Sequence, residues 1–228
     1  MRSILLLLLA ALGAGSAAAD VIAVIGTGRV GSALGTEFAE LGHTIVYGSR
    51  DPSTAAVNEL VDRTAGDARA TTQAEAVKGA DVVILAVPGM LAGDITKNLG
   101  DLSGKIIIDP TNPLNFANDK IRHGVDTSNG EIIQAVAADA YVVKAFNVLS
   151  WQYMIDPGSS GGPISIPLAG NDPDAKAKVA ELVSSLDLHP IDVGPIDHSR
   201  WLEGMAVLLI HNNFGPLPAF NLHLREIE

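Results

Sequence analysis

The sequence predicts an α/β fold: a doubly wound, mostly parallel sheet with a small α/β extension at its C-terminal end. Three observations predict it. Short apolar, β-branched runs such as Val21–Ile25 and Asp81–Val87 have the composition of strands buried on both faces. Helical patterns separate those runs, and strands joined by helices make right-handed parallel crossovers. The first run ends in Gly26-Thr27-Gly28-Arg29-Val30-Gly31, a glycine pattern placed between a strand and a helix.

Taken in order, Val21–Ile25 is the first strand and the helix after the glycines runs through Leu41. Thr44–Tyr47 is a second strand, and Ser53–Thr64 a helix opened by Pro52 and Ser53. A short extended piece near Ala68–Ala70 leads to a helix over Thr72–Lys78. Asp81–Val87 is a buried strand stopped by Pro88, Met90–Leu99 a helix, and Lys105–Ile108 a strand. Asp109–Pro113 carries two prolines and makes a rigid loop. Glu131–Ala138 is helical and Tyr141–Phe146 extended, followed by Gly158–Pro163, a flexible connector by composition. The alternation then resumes with strand Ile164–Ala169, helix Pro173–Leu186, strand Leu188–Val193 and helix His198–Asn212. Residues 20–150 form the nucleotide-binding part, and 151–228 continue the same domain as a sheet extension with a final helix.

Composition narrows the function. The 228 residues hold 15 Lys+Arg against 26 Asp+Glu, a formal charge of −11, which argues against a nucleic-acid surface. With no cysteine there is no disulfide, thiolate metal site or thiol nucleophile. The six histidines are scattered rather than clustered as ligands. Residues 1–19 place Arg2 before an apolar run and end in Ala17-Ala18-Ala19, the pattern of a cleaved secretory signal. The run is short for a membrane span. The expectation is export to the periplasm or beyond, without stable membrane insertion after cleavage; a cytoplasmic location is the alternative.

The glycine loop carries the first chemistry. Gly26 permits the tight turn, Gly28 lets a pyrophosphate approach the backbone, and Gly31 lets helix and strand pack closely. The helix start supplies free N–H groups and a positive dipole end for phosphates. The sheet is therefore expected to be Rossmann-type. At the end of the second strand an NAD enzyme places an acid for the ribose. This chain has Ser49 and Arg50 there instead, suited to a 2′-phosphate, and Arg29 adds a second cation. NADP(H) is the expected cofactor. The next strand ends carry Val87-Pro88, then Asn112, then Phe146-Asn147. Together they suit the walls of a nicotinamide pocket, with Asn112 and Asn147 offered to its carboxamide. Lys144 is expected to pack at the core edge with its amine snorkelled outwards. No catalytic acid–base pair is evident, which suits direct hydride transfer between two ring cofactors.

Those residues, Lys144-Ala145-Phe146-Asn147, and a late run (Ala169-Gly170-Asn171-Asp172, Pro190–Pro195, Ser199-Arg200-Trp201-Leu202-Glu203) resemble the NADPH:coenzyme F-420 oxidoreductases. They are also similar to the NADPH-binding domain of the STEAP metalloreductases. The resemblance covers Val21 to about Asn212. It implies a Rossmann sheet with a C-terminal extension, often in a homodimer, and hydride exchange between NADP(H) and a flavin or deazaflavin ring. FMN, FAD and coenzyme F-420 are the implied second substrates. By resemblance, Thr27, Arg29, Val30, Ser49 and Arg50 hold the adenosine and phosphates; Val87, Pro88, Phe146 and Asn147 line the nicotinamide. The family's further basic residue after Ser-Arg is replaced here by Ser53 and Thr54. Two other functions remain beside this one: an NADPH-binding sensor without turnover, and an imine or 3-hydroxyacid reductase.

Overall fold

The computed structural model describes residues 19–117, 120–214, 220–225 and 227. Residues 1–18 of the expected leader lie outside them. The chain builds β1 (Val21–Ile25), α1 (Arg29–Glu40), β2 (Thr44–Ser49), α2 (Ala55–Arg63), β3 (Arg69–Thr72) and α3 (Gln73–Ala76). Then come β4 (Val82–Leu85), α4 (Ala92–Lys97), β5 (Ile106–Asp109), β6 (Leu114–Ala117), β7 (Lys120–His123) and α5 (Asn129–Val136). The last third holds β8 (Tyr141–Lys144), α6 (Trp151–Ile155), β9 (Ser165–Gly170), α7 (Pro173–Ser184), β10 (His189–Asp192) and α8 (Ser199–Phe214).

Eight strands form one sheet in the order β10-β9-β8-β5-β4-β1-β2-β3. All pairings in it are parallel except β8 with β9. The alternation of side chains along each strand divides the core by sheet face. Ile22, Val24, Val82, Ile84 and Val143 meet Leu34, Phe38 and Val179 from α1 and α7. Ala23, Ile25, Val83, Leu85 and Val142 meet Ala76, Ala92 and Ile133 from α3, α4 and α5 on the other side. Both faces are thus covered, which is why the strand runs are apolar throughout.

Gly35 shows how tightly α1 lies on the sheet: a Cβ there would come 2.5 Å from the hydroxyl of buried Tyr47 on β2. Tyr47 satisfies that hydroxyl with Thr64 Oγ1 at 3.0 Å. Burial pushes the Tyr47 phenol up, an effect opposed by the Thr64 bond and by Arg63.

Some expectations needed correction. The helix placed over Met90–Leu99 divides into a single tight turn, Gly89–Leu91, and the six-residue α4. The antiparallel pair β6–β7 and helix α6 had no strong local pattern. Nor is Gly158–Pro163 a featureless connector. Asp156 caps a turn over Pro157–Ser160 by accepting from Ser159 N, and Gly161 takes the left-handed conformation (φ 79°) that ends it. No helix among the described residues is long and apolar enough to cross a membrane.

Candidate functional site

Because β1, β2, β4, β5 and β8 are neighbours and parallel, the loops that follow them emerge on one edge of the sheet. Every sequence-predicted site residue lies in one of those loops, at the end of β2 (Ser49) or at the adjoining start of α1. The edge includes the point where the strand order reverses between β1 and β4, the general ligand position in open α/β sheets.

The three glycines divide their work. A Cβ at Gly31 would collide with the Gly26 carbonyl, and one at Gly26 (φ 105°) with the Ala86 carbonyl. A Cβ at Gly28 would meet nothing within 4 Å. Gly26 and Gly31 therefore bring helix and strand together, whereas Gly28 leaves open space at the start of α1. That helix has no side-chain cap and no acid in its first turn, so its first N–H groups remain available. Thr27 stands between those glycines, beside this helix start.

At the β2 end, Ser49 is engaged locally: its hydroxyl donates to Asp51 O at 3.1 Å and accepts from Asp51 N at 3.3 Å. The Asp51 carboxylate accepts from Ser53 Oγ at 2.6 Å and Ser53 N at 3.0 Å. Those bonds, the hydroxyl one first, hold its carboxyl below the usual range. Asp51 is thus folded onto Ser53. Arg50 and Arg29 are exposed and, among the described residues, form no ion pair.

A cavity of ≈ 820 Å³ opens at the other end of the edge. Val30, Pro110, Asn112, Phe146 and Asn147 form its inner wall, and α6, Ser160–Pro163, α8, Phe220, Asn221 and His223 its outer one. Val87, Pro88, the glycines, Thr27, Arg29, Ser49 and Arg50 lie on the edge but outside this cavity. Phe146 holds φ at 62°, a left-handed conformation costly for a bulky residue. Asn112 Nδ2 donates to Asn147 O at 2.8 Å, and Asn147 Nδ2 donates to Asn112 Oδ1 at 2.9 Å. The two expected carboxamide partners are therefore paired with each other. The acceptor left over is Asn147 Oδ1, buried without a partner.

Lys144 departs most from expectation. Its side chain is 0% exposed rather than snorkelled, with Nζ 2.5 Å from Asp109 Oδ2 and 2.6 Å from Glu203 Oε1. The contact with Asp109 Oδ2 is a close charge pair rather than an aligned hydrogen bond. Cross-strand register explains the first partner, since Asp109 and Lys144 lie side by side on β5 and β8. The late sequence run explains the second. Asn171 Oδ1 accepts from Ile196 N at 3.0 Å, Arg200 donates to both Glu131 carboxylate oxygens through Nε and Nη2, and Leu202 enters the core. These contacts seat α8 so that Glu203 points at Lys144.

The family model for coenzyme F420-dependent NADP oxidoreductase matches residues 21–113. A crystal structure from Arthrobacter sp. FB24, provisionally described as an F420-dependent NADP-reductase, is 32% identical with a TM-score of 0.81. That match covers 90% of this chain and 100% of the other. The chain belongs to the coenzyme F420-dependent NADP oxidoreductase family. A member from Methanothermobacter marburgensis, the F420-dependent NADP reductase, is 29% identical over 84% of this chain and 92% of its own. Metalloreductase STEAP3 of Rattus norvegicus is also 29% identical, over 84% of this chain. The chain spans only 37% of that relative's length. An imine reductase from Pseudomonas sp., 20% identical with a TM-score of 0.60, shares the fold. The chain thus carries the Rossmann-type sheet of an NADP oxidoreductase family, and its residues fit the dinucleotide. The open space at Gly28, the uncapped α1, the two free arginines and the orphaned Asn147 Oδ1 are the features that fit.

Proposed function

We propose that this oxidoreductase moves a hydride directly between NADP(H) and a flavin or deazaflavin ring of the coenzyme F-420 type. The observation that carries the proposal is the ≈ 820 Å³ cavity, which starts at Asn112 and Asn147 and continues outwards beneath α6 and α8. Trp151, Tyr153, Leu209 and Phe220 give it an apolar, ring-sized interior beyond the nicotinamide edge.

In this reading Gly28 and the first N–H groups of α1 receive the pyrophosphate, while Arg50, with Arg29 beside it, pairs with the 2′-phosphate. Thr27, Val30 and Ser49 complete the adenosine side. Val87, Pro88 and Phe146 bound the nicotinamide, and Asn147 Oδ1 accepts from its carboxamide. Bound NADPH supplies the hydride. The protein holds the two rings face to face and excludes water, so that proximity and orientation carry the rate.

Support for the acceptor class comes from the F420-dependent NADP reductases among its relatives. The test mixes purified protein and NADPH with FMN, FAD or the deazaflavin cofactor and follows NADPH absorbance. Oxidation with at least one ring acceptor is expected; tight NADPH binding with none would favour a sensor role instead. We also propose that residues 1–19 direct export, which N-terminal sequencing of the protein from each cell fraction tests.

A further inference from the structure

A buried ammonium is tolerated only when charge and hydrogen bonds replace its water. Lys144 meets that demand with three oxygens: Asp109 Oδ2, Glu203 Oε1 and, at 2.8 Å, Thr111 O. Thr111 O accepts a hydrogen bond from Nζ, and the two carboxylates stand against it as charge partners. With its side chain 0% exposed, the ammonium is enclosed by the protein, so its task is to hold other groups in place.

The contacts converge on Thr111. Its N and Oγ1 both donate to Asp109 Oδ1, at 2.8 and 2.6 Å. Its Oγ1 also accepts from Asn129 Nδ2 at 2.7 Å, and the same Nδ2 donates to Gly89 O at 2.9 Å. Gly89 in turn lies so close to the Asn112 carbonyl that any Cβ there would collide with it. Glu203 completes the frame: Oε1 accepts from Asn129 N, the first N–H of α5, at 2.8 Å, and Oε2 lies 2.7 Å from His123 Nε2. One network thus fixes the loops after β4, β5 and β8 to α5, α8 and β7. The residue that follows Thr111 is Asn112, which exchanges hydrogen bonds with Asn147 at the cavity wall.

We propose that Lys144 is a positioning residue: held by Asp109 and Glu203, it sets Thr111 so that the Asn112–Asn147 pair stands ready for the nicotinamide half of NADP(H). The ligand in this statement rests on the function proposed above; the network itself does not.

Two shape-conserving variants test it, Glu203→Gln and Thr111→Val. Thr111→Val keeps every buried charge, so it remains informative should Glu203→Gln fold poorly. The first measurement is hydrogen exchange of the ligand-free protein. Peptides spanning 109–113 should exchange faster in the variants while those of β1 and β2 stay as in the parent. The second measures affinity for NADPH and for 2′-phospho-ADP-ribose, which lacks the nicotinamide. The variants should bind NADPH about fivefold to tenfold more weakly, the equivalent of a lost hydrogen bond. They should bind the truncated ligand as the parent does.

Equal weakening of both ligands, or no change in either with unaltered exchange at 109–113, overturns the proposal and leaves the network a purely structural one. Failure of the parent protein to bind either ligand would defeat the NADP(H) site, while the exchange measurement still decides whether Lys144 holds Thr111.

Discussion

Glu203 Oε1 lies 2.6 Å from Lys144 Nζ, and neither side chain has any surface exposed to water. The pair joins the last helix to the middle of the sheet, so the outer wall of the cavity is fastened to its inner wall by charge. Removing one member of a buried pair leaves an unpaired charge and costs about 3–5 kcal/mol. Lys144→Met is therefore expected to lower Tm by about 6–20 °C, as read by thermal unfolding. A Tm equal to that of the parent would mean that the pair contributes nothing to stability.

Arg50→Ala should reduce affinity for NADP(H) by about tenfold to a hundredfold, the range of one charge-assisted bond to phosphate. Affinity for NAD(H) should hardly change. Because Asp51 is folded onto Ser53, it does not take over the ribose in the variant. Titrating both dinucleotides against parent and variant gives the ratio, and an unchanged preference for NADP(H) would remove Arg50 from the site.

Gly28 and Gly31 make a matched pair of probes. Gly31→Ala drives a methyl into the Gly26 carbonyl and should destabilise the fold by about 1–3 kcal/mol. Gly28→Ala meets open space, so its Tm should stay within a degree or two of the parent's, about the effect of a tolerated surface change. Its NADPH affinity should nevertheless fall at least about tenfold, because the methyl occupies the pyrophosphate approach. Calorimetry and ligand titration separate the two effects, and normal NADPH binding by Gly28→Ala would refute the pyrophosphate placement.

His43 gives the pH dependence. Burial lowers its pKa from the ordinary histidine value of 6.5, against the opposing pull of the Asp20 carboxylate, and Lys178 lowers it further. Its Nδ1 accepts from Asp20 N at 3.1 Å, a bond available only while that nitrogen is unprotonated. The unfolded chain thus takes up a proton near pH 6.5 that the folded chain still refuses. Stability from this residue is complete above that pH and is lost as the pH falls through the folded value. Tm measured between about pH 8 and pH 5 should decline more steeply in the parent than in His43→Gln. Parallel declines would contradict the assignment.

Much of this was legible in the sequence because it depends on local rules. Val21–Ile25 followed by Gly26–Gly31 read as a strand, a tight turn and a helix, and the run Asp81–Val87 read as a buried strand, of which Val82–Leu85 is the buried part. The Ser49-Arg50 position followed from counting beyond the glycines. What escaped depends on contacts between distant segments. Lys144 in isolation resembled an edge lysine; its neutralising acids come from β5 and α8. Aligning Ile106–Asp109 with Tyr141–Lys144 as parallel neighbours would have put Asp109 beside it. No such register exists for Glu203, whose position is fixed by how Asn171, Arg200 and Leu202 seat the helix. The turn at Gly158–Pro163 was read from its composition as slack chain, whereas Asp156 and Gly161 give it a defined shape beside the cavity.

Direct hydride transfer across the cavity is the central claim, and isotope tracing tests it most directly. NADPH carrying deuterium on the transferred position is mixed with the protein and a deazaflavin, whose reduced ring carbon does not exchange with water. The account predicts that the deuterium is recovered on that carbon. Deazaflavin reduction without deuterium, or no reduction of the deazaflavin, FMN or FAD under conditions where NADPH is bound, would contradict it.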